Sequence, residues 1–155
     1  MSATGQLRGR LRAASRGRRQ SVSSTFGNTP LSVDEVRRSL DDDASGGLLP
    51  FLGRVRDRDG GRSVDRLEYS AHPNALEQLV RVCEEVSDRH EVHGVAACHR
   101  VGTTGNRRHR SGHRDGLCSS RKRLRGITHL IDTLKSEVPI WKHQQFGDGT
   151  EEWVN

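Results

Sequence analysis

The chain has 155 residues, of which 31% are apolar and 4% aromatic, so it holds one domain's worth of sequence with a lean core. Its formal charge of +6 points toward nucleic acid or another anionic partner, but that charge is segregated. Residues 1–28 hold six Arg and no acid, residues 103–128 hold seven Arg and one Lys against Asp115 alone, and the remainder has 12 basic side chains against 19 acidic ones.

The irregularly spaced Cys83, Cys98 and Cys118 argue against a disulfide scaffold and fit a reducing, cytoplasmic compartment. No run nears the roughly 20 apolar residues of a membrane span. The basic N-terminus has no apolar stretch of the kind a secretory signal needs. Its Arg/Ser-rich, acid-free composition is shared by organelle transit peptides and by disordered basic tails.

In chain order, 1–28 is Gly/Arg/Ser-rich with isolated apolar residues and is predicted disordered; the folded domain is predicted over 29–155. Ser32 with Glu35 three residues on is a capping-box pattern that opens a short helix to about Leu40. Residues 48–56 are a strand candidate, with Pro50 favouring a strand start or edge. The charged stretch 57–61 is a turn tipped by Gly60 and Gly61, and 64–70 is the returning strand. Leu76, Leu79, Val80, Cys83 and Val86 recur at helical spacing within 74–89. Residues 92–98 form another strand, closed by His99-Arg100-Val101-Gly102. Ile127, Leu130, Ile131 and Leu134 mark a helix over 127–138 that Pro139 stops. A turn at 147–149 leads into a terminal strand at 151–154. Such interleaving predicts a layered domain, either α+β with an antiparallel sheet or α/β. Between Gly102 and Ile127 this domain needs one more core strand. The chain offers 107–114, whose arginines cannot bury, so a core strand is expected to be missing.

Arg supplies almost all the positive charge; the only lysines are Lys122, Lys135 and Lys142. An ammonium group that is partly buried serves as acid, base or nucleophile, whereas a guanidinium stays charged. Two lysines seven positions apart around Pro139, with Trp141 and His143 beside them, therefore mark candidate chemistry. The bland alternatives are a dipole-compensating Lys135 at a helix end, a core Trp141, and a solvated Arg54/Arg56 face. His109 and His113 have a spacing that zinc accepts, but no Cys pair flanks them, so no metal is predicted.

Four motifs in order resemble the catalytic (large) subunit of molybdopterin synthase. They are Phe51-Leu52-Gly53-Arg54-Val55-Arg56, then Leu67-Glu68-Tyr69 with His72-Pro73, then His99-Arg100-Val101-Gly102, and finally Leu134-Lys135 through Val138-Pro139-Ile140-Trp141-Lys142. The resemblance covers roughly 29–102 and 129–155. It implies an α/β-hammerhead fold and a homodimer that binds two copies of a small ubiquitin-like subunit as a heterotetramer. It also implies sulfur transfer from that carrier's C-terminal thiocarboxylate to cyclic pyranopterin monophosphate, forming the dithiolene of molybdopterin in molybdenum cofactor biosynthesis. No cofactor is implied. Residue by residue, Lys135 and Lys142 match the family's catalytic lysines. Arg54, Val55 and Arg56, with Phe51, match its basic pocket strand, and His143 and Gln144 extend the site. Phe51 is expected to be core with one edge on the pocket.

The chain departs from the family where an Ala-His-Arg motif belongs, because those positions hold Cys118, Ser119 and Ser120. The departure fits a compensated frameshift across 103–128. Written as degenerate codons and read one base on, 118–121 admits Ala-His-Arg, 106–109 admits Ile-Gly-Asp, and 123–126 admits Ala-Phe-Glu-Ala. A native peptide with the printed sequence of 103–128 refutes this. Without that motif and strand, the chain as written is expected to be unstable or nearly inactive. Two other readings stand beside the enzyme. One is an inactive paralogue that keeps the small carrier. The other is a small nucleic-acid-binding protein, which the lack of aromatics interleaved with the Arg blocks disfavours.

Overall fold

The computed structural model describes residues 7–15, 18–28, 30–43, 45–104, 114–119 and 124–154, and for 7–25, 104, 114–119 and 124 it describes the backbone. The elements in order are β1 (Leu7–Ser15), β2 (Arg18–Gly27), α1 (Val33–Ser39), β3 (Pro50–Arg54), β4 (Arg58–Asp59), β5 (Arg62–Ala71), α2 (Ala75–His90), β6 (Gly94–Arg100), β7 (Gly102–Thr104), β8 (Arg114–Ser119), α3 (Leu124–Glu137), β9 (Ile140–Phe146) and β10 (Glu151–Val154). One sheet runs β1-β2-β6-β8-β3. The other runs β10-β9-β5-β4, with β7 also on β5. Only β2 and β6 pair in parallel; every other pairing is antiparallel.

β6 is the centre of the first sheet. Its side chains alternate between faces, and both faces are covered. Val95 and Ala97 join Leu79, Val82, Cys83 and Val86 of α2 and Leu130 of α3 in the main core. Ala96 and Cys98 point the other way, against Val36 and Leu40. A strand buried on both faces reads as a continuous apolar run, as Val95-Ala96-Ala97-Cys98 does. A third cluster, Val64, Leu67 and Phe146 with Val55 and Tyr69, lies on the second sheet.

Local signals account for the element ends. The Ser32 hydroxyl accepts from the Glu35 amide at 3.2 Å and caps α1. α2 ends with Glu91 in the left-handed region at φ 49°. The Glu91 amide donates to the Asp88 carbonyl and the Val92 amide to the Ser87 carbonyl, which is the Schellman arrangement with a non-glycine residue at its strained position.

Three observations bear on the expectations. Within the stretch 1–28, β1 and β2 pair in register from Leu7 opposite Phe26 to Ser15 opposite Arg18. The apolar residues there are few, but Leu7, Leu11 and Ala13, and then Val22 and Phe26, fall at even spacing, the strand period. Phe26 is 4% exposed and belongs to the main core, so a low apolar count hid an anchored strand. Second, the sheet is complete between Gly102 and Ile127: β8 lies between β6 and β3, with Leu117 opposite both Cys98 and Leu52. Backbone hydrogen bonding needs no particular side chain, and the strand comes from the Gly-Leu-Cys end of the segment rather than from the Arg run. Residues 105–113 of that run lie outside the described residues. Third, Ile140–Phe146, not predicted as a strand, is β9, flanked by β5 and β10.

Candidate active site

The β4–β5 hairpin brings a carboxylate to the second lysine. Asp59 and Arg62 pair across a two-residue loop whose glycines have φ +56° and +80°. Positive φ at both positions defines the tight hairpin turn that matches strand twist. Asp59, the last residue before that turn, directs Oδ2 at β9. Lys142 Nζ donates to it at 3.1 Å and Gln144 Nε2 at 2.8 Å. The Gln144 and Lys142 hydrogen bonds, the Lys142 charge and the Arg56 charge hold the Asp59 carboxyl below its ordinary range, against a smaller effect of burial. Gln144 is buried, whereas Lys142 and Asp59 keep part of their surface in solvent.

Lys142 and Gln144 share a face because they are two apart on β9. Next along that face, Phe146 sits in the third cluster beneath the Arg62 guanidinium, 3.7 Å from its ring centre. Tyr69 lies opposite Lys142 in the ladder and meets the edge of His99 at 5.0 Å between ring centres. His99 Nδ1 lies 2.7 Å from the Arg100 carbonyl and so donates to it, while burial lowers the pKa of the ring. The His99-Arg100-Val101-Gly102 motif thus packs the site from behind, and its Gly102 turns at φ +89°.

The predicted residues divide. Lys142 and Gln144 donate to Asp59, and Arg56 acts on it through its charge. Val55 packs in the cluster below rather than lining the anion site. His143 faces away: strand alternation puts it on the other side of β9, stacked on Trp153 at 4.3 Å and 8°, with Nε2 3.1 Å from Glu151. Phe51, expected in the core, is 41% exposed on the edge strand β3. Arg54 ends β3 and is exposed. Trp141, read as core, is half-buried, its ring 6.2 Å from that of His72. Lys135 stands exposed in the last turn of α3, and among the described residues no hydrogen bond or ion pair holds it. Ser119 lies opposite Pro50 in the β8–β3 ladder; Ser120, His109 and His113 lie outside the described residues. Among the described residues no group of three or more His, Cys, Asp or Glu is placed to hold a metal.

Sequence reading missed Asp59, which it placed only in a charged turn. The available signal was its position directly before Gly60-Gly61, which makes it the last paired residue of a tight hairpin.

Residues 26–109 match the family model described as MoaE protein. A curated relative from Mycobacterium tuberculosis, molybdopterin synthase catalytic subunit 1, is 33% identical over 136 residues, covering 81% of this chain and 85% of its own. The chain belongs to the molybdopterin synthase catalytic subunit family. The Nostoc sp. relative of that name is 33% identical over 142 residues, 87% of this chain and 82% of its own. Among solved structures, molybdopterin synthase from Staphylococcus aureus superposes with a TM-score of 0.73 at 23% identity, over 84% of this chain and 95% of that one. The fold is therefore the α+β, hammerhead-type fold of the family, and the role is that of a biosynthetic enzyme subunit in molybdenum cofactor biosynthesis. The family-model match stops at residue 109, inside the segment whose residues depart from the family pattern. Among the described residues no helix is long and apolar enough to cross a membrane.

Proposed function

We propose that this subunit is a sulfurtransferase. It moves sulfur from the C-terminal thiocarboxylate of a small ubiquitin-like carrier to cyclic pyranopterin monophosphate, acting in the cytoplasm as a homodimer that binds two carriers. The observation that carries the reading is the Asp59-anchored Lys142 beside Arg56 and Gln144. Phosphate and thiocarboxylate are both anions, and fixed cations offset their repulsion as they meet. Asp59 holds Lys142 in place as a positioned charge. Lys135, with no partner among the described residues, is free for proton transfer or acyl capture. The thiocarboxylate sulfur attacks a substrate carbon as the bond from that carbon to an oxygen breaks, the oxygen leaving with a proton from Lys135, and an acyl thioester results. Water then cleaves the acyl–sulfur bond, leaving sulfur on the product and a carboxylate on the carrier. A solved structure from Helicobacter pylori, a complex of subunits 1 and 2 of molybdopterin-converting factor, has the same fold at a TM-score of 0.60 and 18% identity, which supports the carrier as partner.

The test is single-turnover conversion of the precursor by the full chain with thiocarboxylated carrier. Lys142→Ala and Lys135→Ala are each expected to lower the rate by about 10²-fold or more, the scale of a lost transition-state contact. Dithiolene formation at an unchanged rate in both variants refutes the assignment.

A further inference from the structure

An open surface cavity of about 430 Å³ lies between α2 and α3 and is lined by Arg89, His90, Arg125, Thr128, His129 and Asp132. It shares no residue with the Asp59–Lys142 cluster. His90 Nε2 and His129 Nδ1 approach to 3.1 Å, with ring centres 5.2 Å apart, so one nitrogen carries the proton and the other accepts it. On the far side of the His129 ring, Nε2 lies 4.0 Å from Glu85. Burial, then His129, then Arg89 lower the pKa of His90. Among the described residues neither Arg89 nor Arg125 has a hydrogen-bond or ion-pair partner.

Two arginines and two histidines thus line a space whose one acidic lining residue is Asp132. We infer that this cavity binds a small phosphate-bearing anion, held by Arg89 and Arg125 and by His90, with His129 behind it. Guanidinium forks match phosphate oxygens in geometry as well as charge. The cavity is in the size range of small-molecule sites and has room for a phosphomonoester rather than phosphate alone. Asp132 then offers an acceptor to a ligand hydroxyl. His129 faces His90 and Glu85 with its two nitrogens, so His90 Nδ1 is the ring nitrogen left for the anion and donates to it while His90 Nε2 accepts from His129; a further proton on the pair adds positive charge and tightens binding. Glu85 and Asp132 favour the protonated pair; Arg89 and Arg125 oppose it until the anion neutralises them.

The experiment is an NMR titration of the full chain with inorganic phosphate and, separately, sulfate, following the ring resonances of His90 and His129 at constant ionic strength. Sulfate keeps its charge across the range, so its pH dependence reports the histidines alone. Saturable shifts of both rings are expected, with sulfate binding about tenfold tighter at pH 5.5 than at pH 8.0. The exposed pair Arg89→Gln/Arg125→Gln is expected to weaken binding tenfold or more while keeping the circular dichroism of the wild type. Rings that do not respond to either anion overturn the inference. So do shifts that sodium chloride reproduces, or one-to-one binding of zinc ion with no response to phosphate. Lys142→Ala leaves these shifts intact, which separates the cavity from the candidate active site.

Discussion

Replacing Asp59 by Asn tests whether the hairpin carboxylate positions Lys142. Asn keeps the shape and an acceptor oxygen but removes the charge that Lys142 meets at 3.1 Å. The Lys142 and Asp59 side chains are 26% and 34% exposed, so solvent screens the pair and its loss costs about 0.5–1 kcal/mol of stability, the upper part of the range for surface pairs. Asp59→Ala also strips the acceptor from the buried Gln144 amide, and an unsatisfied buried donor adds roughly 1–3 kcal/mol. The order in urea unfolding is therefore wild type, then Asn, then Ala. The pH dependence has a definite sign. The folded-state pKa of Asp59 lies below its ordinary 3.8, so the carboxylate's contribution is fully present above that value and is lost as pH falls through the folded pKa. The gap between wild type and Asp59→Asn is thus full at neutral pH and closes in acid below pH 3.8. In single-turnover assays the Asn variant is expected to lose about tenfold, since a modest misplacement of a catalytic group has effects of that order or more. A variant that matches wild type in both stability and rate refutes the positioning role.

His143→Ala separates the two faces of β9: it removes the stack on Trp153 and lowers thermal stability, but keeps the sulfur-transfer rate within about threefold, in contrast to Lys142→Ala. A drop equal to that of Lys142→Ala shows that His143 reaches the substrate. Glu91→Gly relieves the left-handed position at φ 49° and is expected to raise the urea midpoint, with a gain of about 0.5–1 kcal/mol; a fall in midpoint contradicts the strain. Ser119→His/Ser120→Arg introduces the His-Arg pair that the family resemblance implies at these positions and is expected to raise turnover by tenfold or more. No gain from that double variant means the site is already complete.

Much of the fold was legible because its signals are local. The α2 and α3 faces, the Ser32 cap and the Gly60-Gly61 turn follow from spacing and residue type within a few positions. β8 and β2 were not legible, since both depend on ladders formed with distant strands and their own side chains are poor predictors of a strand. β9 was hidden for a different reason: Trp141 to Gln145 is mostly polar because one face meets the site and the other meets β10. At the candidate site, the motif pointed to Lys142 and Arg56, while Asp59 became visible only through a contact 83 residues away in sequence. His143 was grouped with its neighbour Lys142 because adjacency in sequence was read as adjacency in space, which a strand does not allow.

The four residues of β10 have a consequence for solubility. They pair along β9 from Glu151 opposite Gln145 to Val154 opposite Lys142, so the stretch of β9 that bears the lysine has its ladder covered. Chains cut before Glu151 would expose that row of amides and carbonyls, a ready template for edge-to-edge association. The segment that takes its place at the border is short, and its first two side chains are tied down, Glu151 by His143 and Gln145 and Glu152 by Arg62. β10 thus works as a guard rail: it protects the reactive strand from edge-to-edge pairing while leaving the Lys142 face open.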